Sequence, residues 1–354
     1  MIKFRWLLTA SVLAAVLTAA SARDKAAQTG YLGAIVTDAA TGQVLFEDNA
    51  DVISPPASMT KLMTFAVLHD KLASGAITLQ TPVRVTHEDA RIGMLRDSTS
   101  VWLKQNEVFS VEELIYAMMI QSANDAAYAL ARQSAGSTED FVEQMNAKAR
   151  ALGMTRTTFR SPHGLPPPSR HIPEGDLTTP RDFAALCLYL VRETDELKYT
   201  SVRTRMFGAG QRAELVKMDN HNHLLGAVPG LDGLKMGYTV GAGFCLSATA
   251  ERNGRRIIAV VMGGEQRVAR DVKTKELIER GFASLPPPKL GGTVSSGPGP
   301  AGPGRPPDKP APAAASPATG EAPMPTVKTE HAPAPEQSST DKEPMFKFQV
   351  TPPK

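Results

Sequence analysis

Ser58 and Lys61 are spaced for joint chemistry. Pro55 and Pro56 precede the pair, and the apolar run 62–68 follows it. Prolines suit a helix start, where a missing amide donor costs nothing, so the sequence predicts Ser58 at a helix start and Lys61 one turn later on the same face. A serine hydroxyl needs a neighbouring base to become a nucleophile. A lysine desolvated at a helix N-terminus can lose its proton and act as that base.

Two further short motifs offer polar groups to a cleft. Ser122 and Asn124 lie between two predicted helices, where a hydroxyl and an amide can point into a cleft. Lys235, Met236 and Gly237 lead into a predicted hairpin and supply a cation and a glycine that a ligand can approach closely. Each motif alone is weak, because Ser-x-Asn is a common helix cap and the lysine patterns arise by chance. Their order and spacing are informative.

Strand patterns at both ends of the central part of the chain enclose a series of helical patterns. Strand pairs are predicted at 33–38 with 43–47 and at 243–251 with 255–263, the latter around Asn253-Gly254, which suits a primed turn. Helices are predicted after Ser58, after a capping box at Ser110–Glu113, and at 124–131, 141–152, 180–193 and 271–282. The predicted fold class is α+β, an antiparallel sheet from distant segments with helices on its faces.

The two ends of the chain differ from its middle. Residues 1–22 combine a positive start, an apolar run and a small-residue cleavage site, which predicts a signal peptide and a secreted, periplasmic protein that is soluble after cleavage and has no stable membrane anchor. Residues 286–354 hold 18 of the 28 prolines, which predicts a disordered tail with an unknown partner. The folded domain is therefore predicted at residues 28–285.

Composition excludes several functions. The formal net charge of +3 on 354 residues is too small to indicate nucleic acid binding. The seven histidines show no metal-ligand spacing, so no metal or other cofactor is expected. Cys187 and Cys245 are the only cysteines, and their apolar surroundings favour two buried thiols over a disulfide.

The three motifs in this order resemble those of the penicilloyl-serine transferases, which include β-lactamases and penicillin-binding proteins. Residues 122–127, 162–165, 231–235 and 260–264 narrow the resemblance to the low-molecular-mass serine D-alanyl-D-alanine carboxypeptidases. The resemblance runs from about residue 30 to residue 285. It implies a β-lactamase/transpeptidase-like fold, no cofactor, a peptidoglycan stem pentapeptide as substrate and β-lactams as inhibitors.

The resemblance also implies roles for the motif residues. Ser58 would attack the carbonyl of the penultimate D-alanine, Lys61 would accept its proton, and Ser122 would pass a proton to the departing D-alanine. Asn124 would bind the substrate amide and help to hold Lys61. The backbone amides of Ser58 and Tyr238 would form the oxyanion hole, and water would then release the acyl-enzyme.

The substrate's terminal carboxylate would be drawn in by Lys235 with help from Arg270. Met236, Gly237 and Thr239 would complete the substrate-binding strand. The family usually has threonine where Met236 stands, so the resemblance implies weakened catalysis. Membrane-attached members also carry a β-rich second domain and an amphipathic helix, and here the proline-rich tail stands instead.

Two other functions compete with this prediction. A class A-like β-lactamase needs a glutamate to activate the deacylating water, and Glu174 is superficially well placed. The simpler interpretation is that residues 176–179 cap the helix near Pro180 and that Glu174 is solvated. A non-catalytic peptidoglycan-binding or scaffold protein would have a decayed site, whereas all the motif residues are present. D-alanine release and penicillin turnover distinguish these alternatives.

Overall fold

The computed structural model of the protein describes residues 30–285. The predicted signal peptide, the first two residues of the predicted domain and the proline-rich tail lie outside them. The strands are β1 Gly33–Asp38, β2 Val44–Asp48, β3 Pro82–Arg84, β4 Val108–Ser110, β5 Thr204–Phe207, β6 Val216–Asp219, β7 Leu231–Gly233, β8 Met236–Thr239, β9 Gly243–Arg252 and β10 Arg255–Gly264. The helices are α1 Thr60–Ala73, α2 His87–Gly93, α3 Val111–Ile120, α4 Asn124–Ala135, α5 Thr138–Ala151, α6 Pro180–Glu193, α7 Leu197–Thr200 and α8 Arg267–Ser284, with 3-10 turns at Ala57–Met59 and Ile172–Glu174. None of these helices is long and apolar enough to cross a membrane.

A six-stranded antiparallel sheet forms the centre of the fold. Its order is β2-β1-β10-β9, and β7 and β8 both pair with the far side of β9. The hairpin from β9 to β10 turns through Asn253 and Gly254, whose φ angles of 52° and 70° fit the predicted primed turn. The predicted α+β architecture, with one sheet built from both ends of the domain, is confirmed.

The sheet separates two apolar cores. Side chains of a strand alternate between the two faces, so Ile258 and Val260 of β10 face the larger core with α1, α3, α4 and α6. Ile257 and Val261 face a second core that α8 covers. The larger core holds the start of α1 in place beside β8 and β9, which is where the predicted catalytic motifs meet.

Most of the predicted helices and strands are present, but only one of the two hydrogen bonds of the predicted capping box at Ser110–Glu113 forms. The Ser110 hydroxyl accepts a hydrogen bond from the Glu113 amide, but the Glu113 carboxylate turns to Arg205 and to the Gly208 amide. The Glu113 carboxylate therefore pairs with distant groups instead of accepting a hydrogen bond from the Ser110 amide, as a complete capping box requires. The two cysteines are free and buried, as predicted.

Glu196, just before α7, is a buried carboxyl group with no hydrogen-bond partner on either oxygen among the described residues. Burial raises the pKa of Glu196 to about 8. The folded protein therefore keeps a proton that the unfolded chain loses, and stability falls as pH rises from about 4.5 through 8.

Glu196→Gln is therefore expected to remove this part of the pH dependence. It should raise the free energy of unfolding at pH 8.5 by roughly 2–5 kcal/mol relative to wild type, with little difference at pH 4.5. Urea unfolding at both pH values checks this, with exposed Glu143→Gln on α5 as the control. Equal pH slopes in Glu196→Gln and wild type would assign the proton uptake to another group.

Candidate active site

The start of α1 brings Ser58 and Lys61 together. Ser58 lies in the 3-10 turn, half-buried, and Lys61 follows in the first turn of α1 with 0% exposure. Lys61 Nζ lies 3.0 Å from Ser58 Oγ, 2.7 Å from Asn124 Oδ1 and 2.7 Å from the carbonyl oxygen of His163. The predicted pairing of nucleophile and base is therefore present in the geometry.

The environment of Lys61 disfavours its charge. Burial lowers the pKa of Lys61 well below its usual value, and the charge of Lys235 lowers it further, whereas Asp176 and Asp125 act in the opposite direction. Neither acid forms an ion pair with Lys61: Asp176 accepts hydrogen bonds from Thr60 and from the backbone of the 160–161 segment. The surroundings of Lys61 therefore favour the neutral amine over the ammonium.

Ser122 and Asn124 enter the site from the short link between α3 and α4. Ser122 has a φ of 62°, a sparsely populated backbone conformation for a residue with a side chain, and Thr99 Oγ1 donates to its carbonyl oxygen at 2.7 Å. Ser122 Oγ is buried without a hydrogen-bond partner in the described part of the chain. The Asn124 side chain is fixed from both sides, because its Nδ2 donates to Ser98 Oγ at 2.9 Å. The Ser122 hydroxyl, which has no competing partner there, is therefore available to a ligand.

Strand β8 presents an open edge to Ser58. Ser247 N donates to the carbonyl of Lys235, and antiparallel pairs alternate, so the amide of Tyr238 points away from β9 toward the edge. Gly237 allows the close approach: a Cβ there would lie 2.8 Å from Ser58 N and 2.6 Å from Pro56 O. Strand β8 therefore lies directly against the 56–58 segment at Gly237, with the amide of Tyr238 at its free edge.

Lys235 precedes β8 and is buried at 3% exposure. Burial lowers the pKa of Lys235 to about 7. Within residues 30–285 its Nζ has one long hydrogen bond, 3.5 Å to the Met236 carbonyl, which leaves it able to take an anion. The hydroxyl of Thr239 accepts from the Ala242 amide and so serves the β8–β9 turn.

Met236 and Arg270 are held by neighbouring parts of the sheet and by α8. Met236 is half-buried and packs against the second core, on the face of the sheet that α8 covers. Arg270 is fully buried, donates from Nη1 to the Cys245 carbonyl at 2.6 Å and pairs with Asp271. Its Nη2 lacks a hydrogen-bond partner among the described residues. Because Arg270 is buried, the predicted contact between Nη2 and a substrate carboxylate requires that the substrate or the Met236 side chain uncover this atom.

Two histidines outside the predicted catalytic motifs, His163 and His221, lie near the site. Burial lowers the pKa of His163 to about 3, and the nearby Lys61 charge adds to this effect. Burial and the charge of Lys235 lower the pKa of His221 to about 4. His163 stood in a segment that carried the resemblance, but nothing in the sequence marked His221.

Glu174 does not join this group. Its side chain is 59% exposed and binds Ser169 and His171. The cap of α6 is Thr179, whose hydroxyl accepts from the Asp182 amide. These contacts agree with the prediction of a solvated Glu174 and give no support to a water-activating role.

Comparison with known proteins identifies the family. Residues 18–266 match a family model described as D-alanyl-D-alanine carboxypeptidase. The chain belongs to this family. Carboxypeptidases of this family include DacF of Bacillus subtilis (strain 168), 32% identical over 250 residues, and DacC of Escherichia coli (strain K12), 37% identical over 251 residues. The alignments cover 71% and 70% of this chain but 61% and 60% of the relatives, so the chain spans about three fifths of their length.

Solved structures of a penicillin-binding protein and of a D-alanyl-D-alanine carboxypeptidase share this architecture. Penicillin-Binding Protein D2 from Listeria monocytogenes, in its ampicillin-bound form, matches with a TM-score of 0.62 at 33% identity, covering 72% of this chain and 97% of that one. DacD from Francisella tularensis matches with a TM-score of 0.65 at 27% identity, covering 70% and 69%. The predicted transpeptidase-like fold and family are therefore confirmed.

Proposed function

We propose that this protein is a serine D-alanyl-D-alanine carboxypeptidase that removes the terminal D-alanine from peptidoglycan stem pentapeptides through an acyl-enzyme on Ser58. One observation carries the proposal: a fully buried Lys61 amine lies 3.0 Å from Ser58 Oγ and has two other oxygen partners. Family membership supplies the substrate class. Export across the cytoplasmic membrane, predicted from residues 1–22, would bring the enzyme to that substrate.

The partners of Lys61 orient its lone pair. A neutral amine has two N–H donors and one lone pair, and the acceptors Asn124 Oδ1 and His163 O carry no protons to donate. These two acceptors take both donors, so the lone pair faces Ser58 Oγ. Lys61 can then accept the hydroxyl proton while Oγ attacks the penultimate carbonyl, the role of a general base.

The other groups of the site would stabilise the oxyanion, protonate the departing D-alanine and bind the terminal carboxylate. The amides of Ser58 and Tyr238 would donate to the oxyanion of the tetrahedral intermediate. Ser122 Oγ, which lacks a competing partner among residues 30–285, would relay the proton taken up by Lys61 to the nitrogen of the departing D-alanine as the carbon–nitrogen bond breaks. Lys235 would pair with the terminal carboxylate, with Arg270 adding positive charge from behind the sheet. Water would then hydrolyse the ester and regenerate Ser58.

Released D-alanine is the direct test. Purified protein is incubated with a pentapeptide muropeptide, and D-alanine and the tetrapeptide product are measured. β-Lactams are the expected inhibitors, as ampicillin is bound in the Listeria relative. Slow release of the penicilloyl group is expected, because Glu174 is solvated. Rapid penicillin turnover that disappears in Glu174→Gln would favour a β-lactamase instead.

The pH profile of kcat/KM for a D-Ala-D-Ala peptide is expected to be bell-shaped. Below the depressed pKa of Lys61 the base is protonated and the rate falls. Above pH about 7 Lys235 loses the charge that binds the carboxylate, so kcat/KM falls by up to tenfold per pH unit. A bound carboxylate raises the pKa of Lys235, so the alkaline limb of kcat should lie at higher pH than that of kcat/KM.

Lys235→Arg provides the control for this profile. Arginine stays charged throughout the range, so the alkaline limb of kcat/KM should move to higher pH or disappear while the acid limb stays. An alkaline limb that is unchanged in Lys235→Arg would assign that limb to a different group.

Met236→Thr is expected to raise kcat/KM for D-Ala-D-Ala peptides by about three- to thirty-fold. Met236 lies on the edge strand β8 and is only half-buried, so a hydroxyl there could turn toward a carboxylate bound at Lys235. A hydrogen bond to a charged group is worth about 1.5–3 kcal/mol, whereas a thioether has no proton to donate. The lost packing against the second core should cost about 1 kcal/mol of stability. Met206→Thr, on the exposed face of β5, is the matched control. An unchanged or lower kcat/KM would show that the site is adapted to methionine.

A further inference from the structure

Asp176 is a buried acid whose two oxygens accept four hydrogen bonds. Oδ1 accepts from the backbone amides of Arg160 at 2.7 Å and Ser161 at 3.0 Å. Oδ2 accepts from the hydroxyls of Thr60 at 2.7 Å and Ser161 at 3.1 Å. Burial raises the pKa of Asp176, and these four donors act in the opposite direction because they bind the ionised form best. The carboxylate thus ties the start of α1 to the 160–161 segment.

The peptide unit between His163 and Gly164 is held at both of its ends. Its carbonyl oxygen accepts from Lys61 Nζ at 2.7 Å. Its N–H, which belongs to Gly164, donates to Ser161 Oγ at 2.9 Å, while Ser161 Oγ donates its own proton to Asp176. Since a peptide unit is planar, it turns as one body, and the bond to Ser161 opposes any turn that would move the oxygen away from Lys61.

These hydrogen bonds form a closed ring. From Asp176 the ring runs through Thr60 to its neighbour Lys61, then through the 163–164 peptide unit and Ser161 back to Asp176. Hydrogen bonds linked in this way polarise one another, so the loss of one weakens the next. The position of the oxygen that binds Lys61 therefore depends on a carboxylate that lies outside the three sequence motifs.

We propose that Asp176 is a positioning residue for Lys61. Through Ser161 it fixes the peptide unit whose oxygen takes one N–H of Lys61, which keeps the lone pair of the amine on Ser58 Oγ. If that oxygen is released, the amine can turn, and the Ser58 hydroxyl then meets an N–H instead of the lone pair for part of the time. This inference rests on the proposed function, in which Lys61 is the base.

Ser161→Ala tests the link between Asp176 and the peptide unit. In stopped-flow acylation by a fluorescent penicillin, the limiting rate should fall about ten- to a hundredfold. The penicillin concentration that gives half the limiting rate and the final extent of labelling at Ser58 should both match wild type. A variant that had only lost part of its folded population would instead show less labelling at an unchanged rate.

Asp176→Asn separates the charge of Asp176 from its hydrogen bonds. Asparagine keeps an oxygen for the two backbone amides and offers Nδ2 to the two hydroxyls, so the limiting rate should fall by less than about tenfold. The negative charge of Asp176 raises the pKa of Lys61, so its removal should move the acid limb of the acylation rate to lower pH. In Ser161→Ala, which keeps the charge, this limb should move less.

The other ionisable groups around Lys61 do not confuse this comparison. Lys235 and Asp125 also act on the pKa of Lys61, and both variants retain them. His163 and His221, with pKa values lowered to about 3 and about 4, are neutral between pH 6 and 9.

Asp89→Asn is the matched control. Asp89 is also a buried acid, and its hydrogen bonds from the Thr86 amide and from Arg132 join the start of α2 to α4. Its replacement should change neither the limiting rate nor the acid limb. A wild-type limiting rate in Ser161→Ala, or an acid limb that stays in place in Asp176→Asn, would overturn the positioning role.

A crystal structure of Ser161→Ala gives a readout that does not depend on activity. Lys61 Nζ should lie beyond hydrogen-bonding distance of the His163 carbonyl oxygen, and an unchanged distance of 2.7 Å would also overturn the positioning role. Absence of both penicillin acylation and D-alanine release in the wild type would reject the proposed function, while this distance would still decide the role of Asp176.

Discussion

Ser58→Ala is expected to abolish covalent labelling by a fluorescent penicillin and release of D-alanine from the pentapeptide. Ser58 Oγ is the hydroxyl that faces the Lys61 amine, at a distance of 3.0 Å. Without Oγ no acyl-enzyme can form at this position. Labelling should fall below detection, a loss of at least a thousandfold.

The same substitution should leave the fold intact. Ser58 does not cap a helix, because the residues at the cap positions are Pro56 and Met59 and neither cap uses a side chain. Lys61 keeps Asn124 Oδ1 and His163 O as partners when Ser58 Oγ is removed. The free energy of unfolding should therefore change by less than about 1 kcal/mol.

Two controls make the result specific. Exposed Ser74→Ala at the end of α1 should label like wild type, and Ser122→Ala should label more slowly at the same residue. Mass spectrometry of the labelled peptide locates the penicilloyl group. Labelling of Ser58→Ala at the wild-type rate would place the nucleophile elsewhere and reject the mechanism.

Helices, strands and turns that depend on local sequence patterns were predicted well. The β9–β10 hairpin follows from alternating apolar residues around Asn253-Gly254, and α6 follows from a threonine cap, a proline at its first position and an apolar stripe. The three motifs together with their flanking segments predicted the family, because their residue types and order are specific in combination. Local chemistry and motif order therefore gave the fold class and the candidate catalytic residues.

Features that depend on contacts between distant segments could not be predicted in this way. Lys61 donates to a carbonyl 102 residues away, and no local pattern shows which carbonyl closes over it. The same holds for Asp176, which reaches Thr60 across 116 residues, and for the burial of Arg270 beneath β9. The face that Met236 occupies depends on the register of β8 against β9, which a single strand does not reveal.

Lys61→Met is expected to lower the rate of penicillin acylation by about a hundred- to ten-thousand-fold, the contribution of a well-placed general base. Methionine has a similar length but no lone pair that can take the Ser58 proton, so the nucleophile would stay a neutral hydroxyl. The change in the free energy of unfolding should be small, because two effects oppose each other. Asn124 Oδ1 and the His163 carbonyl lose their donor, which destabilises the protein, but the cost of burying an amine is also removed.

Lys61→Arg separates the base from a simple cation. Arginine is always protonated, so it can attract an anion but cannot accept a proton, and its longer side chain must fit where Lys61 is fully buried. If Lys61 acts as the base, the arginine variant should be as slow as the methionine variant even at pH 9, since the lowered pKa of Lys61 favours the neutral amine of the wild type as pH rises. Stopped-flow acylation at pH 6 and 9 measures both rates, with urea unfolding as the check that each variant is folded. Substantial acylation by Lys61→Arg would mean that positive charge suffices at this position, and a different group would then have to take the Ser58 proton.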